Sequence, residues 1–157
     1  MQGENRIYSL PRWRLTHWLA DAGPGVPTDI RVALIAALFG TLPVFAGGVI
    51  NSLTVAAAIA ARMQTAPFIA WFVCDLAICL ARLIALIAAR RAALHGRETP
   101  TDIYLLLNVA WSGCIGYGTF LSLASGDWVV ATLACLSGAA MVGGICFRNF
   151  GAPISPR

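Results

Sequence analysis

The apolar run 67–91 constrains the fold more than any other feature of the sequence. Up to position 89 it contains only two charged residues, Asp75 and Arg82. At about 1.5 Å per helical residue it reaches roughly 34 Å, which is enough to cross a bilayer core of about 30 Å. Trp71 near one end suits the headgroup region, and two adjacent arginines at the other end favour the cytoplasmic face. The run therefore predicts a transmembrane helix with a defined direction.

Composition extends this prediction to the whole chain. Of the 157 residues, 59% are hydrophobic and 11% are charged, whereas roughly 25% are charged in a soluble domain. Crossings are predicted at about 41–61, 67–91, 102–124 and 128–147, and a separate short helix before the first crossing ends near Phe39. We therefore expect an all-α, polytopic membrane protein with four transmembrane helices in residues 30–148. Residues 1–29 form a cytoplasmic amino-terminal segment, and residues 149–157 form a cytoplasmic linker.

The amino-terminal segment is predicted to contain an amphipathic helix that lies on the membrane surface. Ser9 is a candidate N-cap. The apolar face consists of Leu15, Trp18, Leu19 and Ala22, and it lies opposite Arg12 and Arg14. An irregular tail with two chance tryptophans is the alternative.

The distribution of arginine predicts the orientation. All eleven basic residues are arginine, which hints at a GC-rich bacterium. With the amino terminus inside, nine arginines lie on the inner side and only Arg62 lies in an outer loop. This bias predicts a multi-pass protein of the bacterial inner membrane with both termini in the cytoplasm. It also explains the net charge of +4 without a nucleic-acid partner.

Asp75 and Arg82 are the candidate signalling residues, because ionisable groups inside a membrane are costly and often functional. Seven positions apart, they lie on nearly the same helix face. One interpretation is that they bond to groups such as Asn51, Asn108 or Ser112 and that protonation of Asp75 is part of sensing or transport. The other is that Arg82 snorkels to the interface while a serine or asparagine holds Asp75 for packing.

Glycines predict where helices approach each other closely. Gly116, Gly138 and Gly144 lie in small-xxx-small patterns, which favour helix packing and a homodimer. No nucleophile elbow, phosphate loop or zinc motif is present. The five cysteines include no CxxC pair. We therefore assign no catalytic, cofactor-binding or metal-binding residue.

Three stretches resemble a known family: RVALIAALFGTLPVFAGGVINSLTVAAAIAAR, then PFIAWFVCDLAICLARLIALIAARRAALHGRETPTDIYLLLNVAW, and SGDWVVATLACLSGAAMVGGICFRNFGAP. They are similar to the amino-terminal membrane region of bacterial GGDEF-family diguanylate cyclases, and the polar elements TLP, GDW and GGICFRNF carry most of this resemblance. In that family the region precedes a cytoplasmic domain that makes cyclic di-GMP from two GTP molecules. The GGDEF signature itself is absent, so no catalytic residue is carried over. The resemblance implies a membrane portion whose cyclase domain lies outside this sequence.

The resulting functional hypothesis is a membrane-embedded sensor and dimerisation domain that relays a signal to a cytoplasmic output domain. Its expected partners are the lipid bilayer, a second copy of the chain and that output domain. The alternatives are a small oligomeric proton-coupled transporter that uses Asp75, or a structural subunit of a membrane complex.

Overall fold

The structure is a computed structural model that describes residues 9–21, 23, 25–39 and 42–150. Within these ranges the regular structure is entirely helical, which confirms the all-α part of the prediction. The six helices are α1 Arg14–Leu19, α2 Thr28–Phe39, α3 Leu42–Met63, α4 Ala66–Leu94, α5 Thr101–Ala124 and α6 Trp128–Phe150. Helix α2 is described to Phe39 and α3 from Leu42; residues 40 and 41 of the predicted break lie outside the described residues, as does most of the predicted linker 149–157.

Among the described residues, three helices are long and apolar enough to cross a membrane. They are α4, α5 and the part of α3 from Phe45 to Met63. The apolar part of α6 described here, Trp128–Val142, is shorter. Three of the four predicted crossings therefore have the length and composition that a crossing needs, and the fourth stays a prediction.

A glycine ends the longest helix. Gly96 has φ of +63°, a left-handed conformation that glycine adopts without steric cost. The Arg97 amide donates to the Ala92 carbonyl at 2.9 Å, and the Gly96 amide donates to Ala93 at 3.4 Å. This pair of bonds is a Schellman motif, which satisfies carbonyls at the end of α4. The loop to α5 begins here.

The chain divides into two compact units. The first consists of Met1–Ala46 and Leu76–Ser112, and the second of Gly47–Asp75 and Gly113–Arg157. Helices α3, α4 and α5 contribute residues to both.

In the first unit, α2 packs against α4 and α5. The buried cluster includes Ile35, Phe39, Leu86 and Tyr104, and the rings of Phe39 and Tyr104 lie 4.7 Å apart. Arg90 of α4 donates from Nη2 to the Phe39 carbonyl at 3.2 Å. The last carbonyls of a helix have no partner inside it and attract cations. Arg90 therefore stabilises the end of α2.

In the second unit, Trp71 lies at the centre of the buried cluster that joins α3, α4 and α6. Its indole is only 6% exposed, and Nε1 donates to the Cys114 carbonyl of α5 at 2.9 Å. A β-carbon at Gly118 would overlap the indole ring. The interpretation of Trp71 as a headgroup anchor is therefore wrong. Its ring needs an apolar contact and its N–H needs an acceptor, and α5 supplies both.

The amino-terminal helix differs from the prediction. Helix α1 has six residues, and its N-cap is Trp13. Ser9 is not the cap, because its hydroxyl accepts a hydrogen bond from the Thr99 amide at 3.1 Å. Of the predicted apolar face, Leu15, Trp18 and Leu19 are all exposed, and Ala22 lies outside the described residues. The residue of α1 that is buried is Thr16.

We expect Gly118→Ala to lower the thermal stability of the protein in detergent. The added methyl group must displace Trp71, and overpacking of this kind typically costs about 1–3 kcal/mol. Gly113→Ala is the matched control on the same helix, because a β-carbon there meets nothing within 4 Å and alanine favours the helix by about 1 kcal/mol. Equal melting temperatures for the two variants would show that Trp71 does not pack closely on α5.

Candidate functional site: charged groups buried on α4

Asp75 of α4 lies in the second unit and is fully buried. The Ser52 hydroxyl of α3 donates to its carboxylate. Asn51, which we had named as a candidate partner, donates instead to the Ser137 hydroxyl of α6 at 2.9 Å. The adjacent pair Asn51–Ser52 thus joins α3 to two different helices. Sequence reasoning did not single out Ser52, although a second polar residue beside Asn51 in an apolar run was a usable signal.

A small cavity lies beside this polar pair in the second unit. Its volume is about 10 Å³, close to what one water molecule needs. Three hydroxyl-bearing residues line it, Ser52, Thr119 and Ser137, together with Trp71 and apolar side chains. Its wall is therefore mixed in polarity and includes Ser52, whose hydroxyl bonds Asp75.

Arg82 of α4 lies in the first unit and is 6% exposed. Its Nη2 donates to Oδ1 of Asn108 on α5 at 2.7 Å. Its guanidinium carbon lies 4.0 Å from the ring centroid of Trp111 and 5.1 Å from that of Phe45. Both distances are within the range of cation–π attraction, which is stronger when the cation is desolvated.

The environment of Arg82 bears on both interpretations of its role. It bonds Asn108, one of the groups that we had named, and it is buried within its unit rather than snorkelling. Asn108 is itself oriented by a second bond, from Nδ2 to the Tyr104 carbonyl at 2.7 Å. Sequence reasoning missed the two aromatic rings that face the guanidinium.

The candidate packing glycines have open surroundings within the chain. A β-carbon at Gly116 or Gly138 would meet nothing within 4 Å, and the surroundings of Gly144 lie outside the described side chains. Among the glycines whose surroundings are described, Gly118 is the one that packs closely against another side chain. Packing of the other glycines against a second copy stays a prediction.

An ion pair lies outside the predicted crossings, between α3 and the turn before α6. Arg62 Nε donates to the Asp127 carboxylate at 2.8 Å. The same carboxylate accepts the amides of Val129 and Val130 at 2.9 and 3.3 Å, so it caps α6. The hydrogen bond from Arg62 and then these amides lower the pKa of Asp127. The predicted tight turn is confirmed, and Gly126 within it has φ of +74°.

Comparisons with protein-family models, with curated proteins and with solved structures found no match. Among the described residues, no group of three or more His, Cys, Asp or Glu is placed to hold a metal ion. Inferences about function therefore rest on the buried polar contacts, and the resemblance to cyclase membrane regions stays a prediction.

We expect Asn108→Ala to destabilise the protein by roughly 1.5–3 kcal/mol, because it removes a hydrogen bond to a buried charged group. Ser112→Ala is the matched control one helical turn later. Its hydroxyl is exposed and donates only to the Asn108 carbonyl of the same helix, so its effect should stay within about 0.5 kcal/mol. Denaturation in detergent measures both, and equal effects would contradict a stabilising role for the Arg82 contact.

Proposed function

We propose that the chain is a four-crossing sensor and dimerisation domain of the bacterial inner membrane, with both termini in the cytoplasm. It relays a signal through α4 to a cytoplasmic output domain. The proposed output domain is a diguanylate cyclase, which would place the protein in cyclic di-GMP signalling.

Helix α4 is the observation that supports a relay. It contributes one buried charged residue to each compact unit, and each residue is bonded to a different neighbouring helix. Asp75 is bonded by Ser52 of α3, and Arg82 bonds Asn108 of α5. Buried charges hold one arrangement of their partners strongly, because a lost partner leaves an expensive unpaired charge. A shift of α4 must therefore change polar contacts in both units, as expected of an element with two discrete states.

The environments of the arginines support the proposed orientation. Arg91 and Arg97, at the end of α4 and in the loop after it, are exposed and suit a cytoplasmic surface. On the proposed outer side, the one cation, Arg62, is paired with Asp127. The outer loops thus carry little uncompensated positive charge.

Reporter fusions test the crossings. A reporter inserted after Arg97 should behave as cytoplasmic, and one inserted at Asp127 should behave as periplasmic. A fusion after Arg157 should again be cytoplasmic, because α6 then completes the fourth crossing. A cytoplasmic reporter at Asp127, or a periplasmic one at the carboxyl terminus, would contradict the four-crossing arrangement.

The relay is tested by joining a diguanylate cyclase domain after Arg157 and measuring cyclic di-GMP in cells at equal protein levels. We expect Asp75→Asn and Asn108→Ala to change the output by about fivefold or more, the lower range of measured allosteric coupling. Leu80→Ala is the matched control, because Leu80 lies on α4 between Asp75 and Arg82 and is 52% exposed.

Two outcomes would reject the relay. One is an output that is the same in all three variants as in the original chain. The other is pH-gradient-driven uptake into vesicles that the original chain supports and Asp75→Asn abolishes, which would establish the proton-coupled transporter instead.

A further inference from the structure

Residues 9–20 present an unburied apolar surface, and we name this segment the amino-terminal strip. Leu10, Trp13, Leu15 and Leu19 are between 38% and 57% exposed, and Trp18 is 72% exposed. Thr16 instead is fully buried. Tryptophan and leucine beside basic residues are typical of segments that lie in the membrane interface.

The surroundings of the strip are positively charged. The strip and the residues 90–102 that adjoin it contain five arginines against two acids, Glu98 and Asp102. Arg12 pairs with Glu98, and the carboxylate of Asp102 accepts hydrogen bonds from residues of the strip. The side chains of Arg14, Arg91 and Arg97 are exposed and make no hydrogen bond or ion pair with any residue that the structure describes. The net charge around the apolar surface is therefore positive and available to an anionic partner.

A set of hydrogen bonds fastens the strip to the start of α5. The Asp102 carboxylate accepts the amides of Arg12 and Trp13 at 3.0 and 3.1 Å, and it also accepts the Thr16 hydroxyl. Ser9 and Thr99 exchange two bonds, from the Ser9 amide to Thr99 Oγ1 at 2.9 Å and from the Thr99 amide to Ser9 Oγ at 3.1 Å. We call these contacts the clasp. The clasp therefore connects the strip to the first turn of α5.

We infer that the amino-terminal strip binds anionic phospholipid headgroups at the bilayer surface and that the clasp transmits this binding to α5. This deepens the proposed function, on which it rests, by naming the signal as the surface charge of the membrane. Charge complementarity favours an anionic lipid surface, because its phosphates can pair with the exposed arginines while its acyl chains accept the apolar side chains of the strip. A second copy of this chain would bring its own uncompensated arginines to the same place.

The test uses the full chain in nanodiscs of phosphatidylcholine with increasing fractions of brominated phosphatidylglycerol, which quenches tryptophan by contact. The contribution of Trp18 is the difference from Trp18→Phe. We expect brominated phosphatidylglycerol to quench the fluorescence of Trp18 at a lower fraction of brominated lipid than brominated phosphatidylcholine does. Arg14→Gln should weaken the response roughly fivefold, the effect expected of one basic residue at an anionic surface. Arg62→Gln is the matched control and should leave the response unchanged.

A second variant tests the clasp. In Asp102→Ala we expect Trp18 quenching to persist, whereas hydrogen exchange in the first turn of α5 should no longer slow when phosphatidylglycerol is added. Exchange in the first turn of α5 that still slows on addition of phosphatidylglycerol in this variant would contradict transmission through Asp102.

Three results would overturn lipid recognition. They are equal quenching by the two lipids, equal effects of Arg14→Gln and Arg62→Gln, and shielding of Trp18 in detergent that depends on protein concentration. The last would assign the strip to a second copy. The readouts need no output domain, so failure here leaves the relay standing, and an unresponsive cyclase fusion with normal lipid binding would reject the relay alone.

Discussion

A charged side chain inside an apolar helix must find its partners within the protein, and α4 has two such side chains. Water is absent from hydrocarbon, so an unbonded carboxylate or guanidinium there is strongly unfavourable. Asp75 is satisfied in part by Ser52, and Arg82 by Asn108 and two aromatic rings. These contacts hold α3 and α5 against α4 at defined rotations, which apolar side chains alone specify less strictly.

The sequence predicted the helices well, because their limits depend on local properties. Apolar run length and the turn around Gly126 indicated where α5 ends and α6 begins, whereas the end of α4 was predicted at Arg91 and lies at Leu94, before Gly96 in its left-handed conformation. The prediction failed for Trp71. Its position near a helix end suggested the headgroup region, whereas its burial depends on the absence of a side chain at Gly118 of another helix. No local pattern shows such a pairing.

The buried polar partners were predictable in type but only partly in identity. Asn108 was named for the charged pair and does bond Arg82, while Ser52 rather than Asn51 bonds Asp75. Adjacent residues on a helix point about 100° apart. The choice between Asn51 and Ser52 therefore requires knowledge of how α3 is oriented about its own axis. The length of α1 was missed for a similar reason, since the carboxylate that accepts the amides of Arg12 and Trp13, just before α1, lies about 90 residues later in the chain.

The arginines show that the surroundings of each charge say more about its role than the number of charges does. The orientation rule treats every arginine outside the crossings alike, yet the structure places them in distinct surroundings. Arg90 bonds the carbonyl at the end of α2, and Arg62 pairs with Asp127. Each of these is already committed to a protein group, so it has little attraction left for an external anion. The exposed arginines around the amino-terminal strip are not committed in this way, and they lie beside apolar side chains that suit the depth of the interface. In the proposed arrangement, electrostatic interaction with the membrane surface is therefore concentrated where the clasp connects the strip to α5.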